Sequence, residues 1–118
     1  MHELSIVLHI IDIAENEAQK TGAASISEIE LAIGKLSTIE PAAFDFAWKQ
    51  GVKNSMLEHA RRITNYIDGK GRCNLCGTEF LMETLHQPCP ECGEFFSEIL
   101  EGKELQIKSL RIEEKIEN

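Results

Sequence analysis

Four cysteines are placed where they could do chemistry together. They fall in two matching pieces, Cys73-Asn-Leu-Cys76-Gly and Cys89-Pro-Glu-Cys92-Gly, with twelve residues, Gly77 to Pro88, between Cys76 and Cys89. Two residues between cysteines let a loop curl until both sulfurs face one ion. The glycine that follows allows a positive φ, which turns backbone amides toward the sulfurs. Two such knuckles supply four thiolates, the tetrahedral set that zinc takes in closed structural sites. The spacer is shorter than is usual for this pattern but long enough for a hairpin. Zinc bound by Cys73, Cys76, Cys89 and Cys92 is therefore the expectation. Disulfides would need an oxidising compartment. A mononuclear iron site would use the same four sulfurs. Redox catalysis by one Cys-x-x-Cys needs no second pair.

The second position of interest is the opening Met1-His2-Glu3. A terminal amine, the backbone nitrogens of residues 2 and 3 and the imidazole of His2 can lie near one plane. Four planar nitrogens suit Ni(II) or Cu(II). Taken by its position alone, His2 is more commonly a surface residue at a helix start. The remaining histidines carry less. His9 lies beside the apolar stripe of a helix and reads as a partly buried core residue. His59 follows Glu58 in a turn and reads as solvated, and His86 sits in the spacer facing water. Catalysis finds little support. Four cysteine ligands leave zinc no open position for substrate. No Ser-His-Asp set, pair of catalytic carboxylates or phosphate-cradling loop stands out, and Gly69-Lys70-Gly71 reads as a linker turn. The chain is expected not to be an enzyme.

Composition narrows the partners. The chain has 118 residues, is 42% hydrophobic and 27% charged, and carries a formal charge of −8. Nucleic-acid binders usually present a basic face; here the densest basic spots are Arg61-Arg62 and Lys70 with Arg72. No apolar run approaches the roughly 20 residues of a membrane helix. The N-terminus has no basic stretch, and its apolar residues are spaced by polar ones, unlike a secretory leader. A cytoplasmic location, with no nucleic-acid or membrane partner, is expected.

The elements that must position these residues follow from periodicity. Leu4, Val7, Leu8, Ile11, Ala14 and Ala18 form a helical stripe over residues 4–18, with Gly22 placed as a C-terminal glycine. Residues 26–33 alternate as a strand, Ile29, Leu31 and Ile33 to one side, ending at Gly34. Residues 41–50 read as a second helix with Glu40 as cap and Pro41 in its first turn. Residues 61–67 and 104–113 read as two more strands. In the last, Leu105 and Ile107 are odd while Leu110 and Ile112 are even, which predicts a bulge near Ser109. Residues 69–103 differ from the rest. They hold all four cysteines, five of the eight glycines and two of the three prolines, and too few apolar residues to fold without the metal. The expected fold is α+β: two helices packed on a small three-stranded sheet, with an inserted zinc-ribbon module. A discontinuous domain (1–68 and 104–118) would enclose the module (69–103).

Joined together, these features resemble one family. Met1-His2-Glu3, Ile29-Glu30-Leu31-Ala32-Ile33-Gly34, Phe44-Asp45-Phe46, the double Cys-x-x-Cys-Gly module and Glu104-Leu105-Gln106-Ile107-Lys108-Ser109-Leu110 are similar to the HypA/HybF nickel-incorporation proteins of nickel–iron hydrogenase maturation. The resemblance covers nearly the whole length. It implies a nickel metallochaperone with Ni(II) held by the amine of Met1, the amides of His2 and Glu3 and the His2 imidazole, and structural Zn(II) on the cysteines. It also implies docking with a HypB-type GTPase, delivery to a hydrogenase large subunit precursor (or a urease), and a monomer or homodimer. One departure is Glu58-His59-Ala60, where family members often have a central glycine. The rival reading is a zinc-ribbon adaptor without nickel, which explains the cysteines and leaves His2 an accident.

Overall fold

The computed structural model describes residues 2–95 and 97–114. The element order is α1 (Glu3–Lys20), β1 (Ala23–Gly34), α2 (Pro41–Gly51), β2 (Arg61–Ile67), β3 (Gly69–Cys73), β4 (Glu79–Met82), β5 (Ser97–Glu101) and β6 (Leu105–Glu114). The strands form two sheets, ordered β2-β1-β6 and β4-β3-β5. The architecture is thus two helices with a three-stranded sheet, and a second small sheet carried by the cysteine segment. The chain divides into two compact units. One comprises Met1–Leu31, Ile39–Thr64 and Ile107–Asn118; the other comprises Ala32–Thr38 and Asn65–Gln106.

In the first unit, both helices end as their sequences direct. The N–H of Gly22 donates to the Gln19 carbonyl at 3.1 Å, with Gly22 at φ +73°. A residue with a Cβ adopts that conformation only at a cost. At the start of α2, the Glu40 carboxylate accepts the Ala43 N–H at 2.6 Å, satisfying a donor the helix cannot use itself. The buried stripe of α1 is rotated from the expected one. It consists of Glu3, Val7, Ile10, Ile11, Ala14 and Ala18, while Leu4 and Leu8 are 46% and 51% exposed. Gly51 of α2 meets the face that both stripes share: a Cβ on it would lie 2.7 Å from Val7 Cγ1 and 3.7 Å from Ile11 Cδ1 and Leu4 Cδ1.

Val7, Ile29, Phe44 and Leu57 are fully buried and centre this core. The Arg62 guanidinium covers it, 5.1 Å from the Phe44 ring centroid and 5.2 Å from that of Trp48, and pairs with Asp45. Across the sheet, Glu28 lies between Arg61 at 3.6 Å and Arg111 at 4.0 Å. Ser109 donates to Glu30 at 3.1 Å. The alternation expected over residues 26–33 holds only from Glu28 to Leu31: Ile26, of the opposite parity, is buried, and from Leu31 to Gly34 every residue is buried. In β6 the half-buried residues are Ile107, Leu110 and Ile112, so the change of parity lies between Ile107 and Leu110.

In the second unit β3 is the central strand, antiparallel to both neighbours. It pairs Gly69 with Met82 and Arg72 with Glu79 on one side, and Cys73 with Ser97 on the other. Lys70–Glu79 at 3.0 Å and Arg72–Glu98 at 2.6 Å tie the strands across their surface. The segment after β1 belongs here as well. Leu36 is buried, and its N–H donates to the Gly102 carbonyl at 2.7 Å. The apolar interior amounts to Ala32, Ile33, Leu36 and Met82 beside Cys73 and Cys89. An interior this small does not hold a sheet unaided.

Candidate metal centre

The two knuckles share one backbone. Cys73 N–H donates to Thr78 O at 2.9 Å and Gly77 N–H to Cys73 O at 2.9 Å; Cys89 N–H donates to Glu94 O at 2.9 Å and Gly93 N–H to Cys89 O at 2.8 Å. Gly77 and Gly93 have φ of +78° and +75°. These are the positions at which the sequence required glycine. Each knuckle therefore presents its two sulfurs on one side, the first cysteine buried and the second exposed.

The four Sγ atoms lie within 4.8 Å of one another, the one such cluster of metal-ligating side chains among the described residues. Cys73 and Cys92 sulfurs are 3.5 Å apart, and those of Cys76 and Cys89 are 3.6 Å apart. Zinc–sulfur bonds of about 2.3 Å at tetrahedral angles separate sulfurs by about 3.8 Å. The cluster fits a tetrahedral thiolate site without rearrangement of its loops.

The electrostatics of the cluster point the same way. The hydroxyl of Thr78 and then its amide hold the Cys76 thiol down to about 6. Backbone amides of Cys76 and Leu75 lower that of Cys73. Cys92 feels the lowering pull of the Glu94 amide, yet contact with Cys73, burial and the other thiols drive it up to about 12. Sulfurs this close share their protons, and full ionisation needs a cation among them. The contact of Thr78 with Cys76, 3.2 Å from Oγ1 to Sγ, was absent from the sequence reading. The available signal was a hydroxyl residue two places after the second cysteine of a knuckle.

The expected nickel residues lie elsewhere in the chain. His2 is exposed and stands as the N-cap of α1. Its carbonyl accepts the Ile6 N–H at 3.0 Å, the first bond of the helical ladder. The amides of His2 and Glu3 precede that ladder and take no part in it. Glu3 itself is buried at 8% exposure. Met1 lies outside the described residues. His9 is exposed, contrary to the core position expected for it, because two residues on from Val7 it projects from the opposite side of the helix. His59 is solvated, its side chain 93% exposed beside Glu58 at 3.7 Å. His86 is exposed in the spacer.

A two-helix α+β unit joined in one chain to a four-cysteine module defines a small metal-handling protein. Residues 1–112 match the family described as hydrogenase/urease nickel incorporation, metallochaperone, hypA. The chain belongs to the HypA family, the nickel metallochaperones of hydrogenase maturation. It is 45% identical to the hydrogenase maturation factor HypA of Parabacteroides distasonis, over 98% of this chain and 100% of that one. It is 40% identical to the factor of the same name from Chlorobium luteolum, over 98% of each. Among solved structures it is similar to the Ni metallochaperone HypA from Helicobacter pylori, with a TM-score of 0.71 at 25% identity, covering 98% of this chain and 100% of that one. No described helix is long and apolar enough to cross a membrane.

Proposed function

We propose that this chain carries Ni(II) at its N-terminus and hands it on during hydrogenase maturation, with a structural zinc ion on Cys73, Cys76, Cys89 and Cys92. The observation that carries the reading is the union, in one chain matched to the HypA family from residue 1 to 112, of a four-sulfur cluster with an exposed His2 at a helix N-cap. The nickel ligands are the amine of Met1, the backbone nitrogens of His2 and Glu3 and the imidazole of His2. Amides outside the helical ladder can give up their protons to a metal without breaking the helix. Zinc ties the two knuckles and completes an interior too small to stand alone. The first unit is the nickel-handling domain and the second the zinc-binding module. A HypB-type GTPase and the hydrogenase large subunit precursor are the partners, met in the cytoplasm, and the chain catalyses no reaction of its own. Family membership disfavours the zinc-ribbon adaptor, which gives His2 no task.

Nickel titration of the wild type, His2→Ala and a form with residues added before Met1, with zinc content measured in each, tests the reading. Tight nickel binding lost in both altered forms, at unchanged zinc, supports it. An extended protein that binds nickel as tightly as the native one removes the amine from the ligand set.

A further inference from the structure

The two knuckles share hydrogen bonds, glycine conformations and burial pattern, but differ at the residue after the glycine. Thr78 follows Gly77, and Glu94 follows Gly93. Both residues offer their amide to the exposed cysteine of their knuckle. Only Thr78 adds a side-chain partner: the Cys76 thiol donates to its Oγ1 at 3.2 Å. A metal-bound thiolate has no proton to give, so with the ion in place the hydroxyl is the donor. A carboxylate at position 94 has no proton to offer Cys92. Cys76 and Cys92 are both exposed, so access from solvent does not distinguish them.

We propose that Thr78 is a positioning residue of the zinc site: its hydroxyl fixes the Cys76 thiolate, so that the first knuckle keeps the ion and Cys92, beside Glu94, is the ligand released first. This rests on the reading of the four cysteines as a zinc site. Hydrogen bonds from residues around a metal site orient its ligands and set how firmly they hold. A hydroxyl placed on one exposed thiolate and missing from the other makes a site of two similarly folded loops unequal. Ligand exchange then has a fixed order, beginning at the second knuckle.

The test uses the full-length, zinc-loaded protein. Zinc release to excess EDTA is timed for the wild type, Thr78→Val, Thr78→Ser and Glu94→Thr. Loss of an ordinary hydrogen bond to this solvent-exposed sulfur should speed release about three- to tenfold in Thr78→Val. Thr78→Ser should stay within about twofold of wild type, and Glu94→Thr should release more slowly. In the cobalt-substituted protein, Thr78→Val should move the thiolate-to-cobalt charge-transfer band to lower energy, because an unbonded thiolate is the better electron donor. N-ethylmaleimide added during the wild-type release, followed by peptide mass analysis, should mark Cys92 before Cys76. That last measurement does not depend on any variant folding. Release at the wild-type rate with an unmoved cobalt band in Thr78→Val, or Cys76 marked first or together with Cys92, overturns the proposal while leaving the zinc site standing. A wild-type protein without stoichiometric zinc overturns the underlying assignment instead.

Discussion

The carboxylate of Glu15 accepts the backbone N–H of Met56 at 2.9 Å, joining α1 to a segment 41 residues further along. A helix charge that would pass for surface decoration in the sequence is thus a half-buried tether. Glu15→Lys should lower the stability of the first unit by about 1.5–3 kcal/mol, the worth of a hydrogen bond to a charged group. Urea unfolding read by far-UV circular dichroism measures it. A partner surface on α1 must therefore be probed elsewhere. Charge reversal at exposed Asp12 and Glu17 should weaken binding to a HypB-type GTPase, with zinc content and unfolding midpoint unchanged. Undiminished binding across these variants would place the docking surface off this helix.

Metal analysis of the purified protein should find one zinc per chain, retained through mild chelation. Cys73→Ala and Cys92→Ala should each lose it, and the amides of β3, β4 and β5 should lose protection from hydrogen exchange. The helical signal of α1 and α2 should persist, because Val7, Ile29, Phe44 and Leu57 form their own core. Iron in place of zinc, or oxidised cysteines without metal, would falsify the assignment.

Nickel affinity should fall steeply below neutral pH. An imidazole and an α-amine ordinarily bind protons below about 6.5 and about 8, and the metal must displace these along with two amide protons. Lower pH therefore favours the protonated, metal-free side. Bound nickel should be diamagnetic if its four nitrogens are square-planar. A flat affinity between pH 6 and 8 would argue for ligands that carry no proton in this range. His9→Ala, His59→Ala and His86→Ala should alter nickel binding far less than His2→Ala.

Arg62 provides a test of the first unit alone. Its guanidinium faces both Phe44 and Trp48 and pairs with Asp45. Arg62→Ala should cost about 1–2 kcal/mol, the value of a partly desolvated cation–π contact. Arg62→Lys should recover only part of it, since an ammonium cannot stack on two rings as a plane does. Equilibrium unfolding of the two variants gives the comparison.

What the sequence disclosed and what it hid divide along physical lines. The helix ends at Gly22 and Glu40 were legible because capping is local: one residue type in one conformation serves one unpaired backbone group. The knuckles were legible for the same reason, each being a loop of a few residues with a fixed glycine. The rotation of α1 was not, since Leu4, Leu8 and Ile10 are equally apolar and periodicity alone does not say which of them tertiary packing covers. The burial of Glu3 follows from that same rotation. The strands β3, β4 and β5 went unresolved within the cysteine segment. They are short, and Gly69-Lys70-Gly71 carries no alternation of apolar residues. Their order is set by pairing across the sequence, which periodicity does not report.

Gly69 opens β3 and Gly102 follows β5, and a Cβ on Gly102 would lie 2.6 Å from the Gly69 Cα. The whole cysteine excursion is therefore pinched shut at its base. Strand β6 joins β1 only after the chain has travelled from Ile67 to Leu105 and back. Closing that stretch as free chain carries an entropic cost that grows by about 0.6 kcal/mol with each doubling of length. With the neck closed, the same connection behaves as a link of a few residues, a saving of about 2 kcal/mol. The pairing of β3 with β5 thus shortens the effective loop between β2 and β6, the outer strands of the other sheet, and lowers the entropy lost when the last strand finds its place.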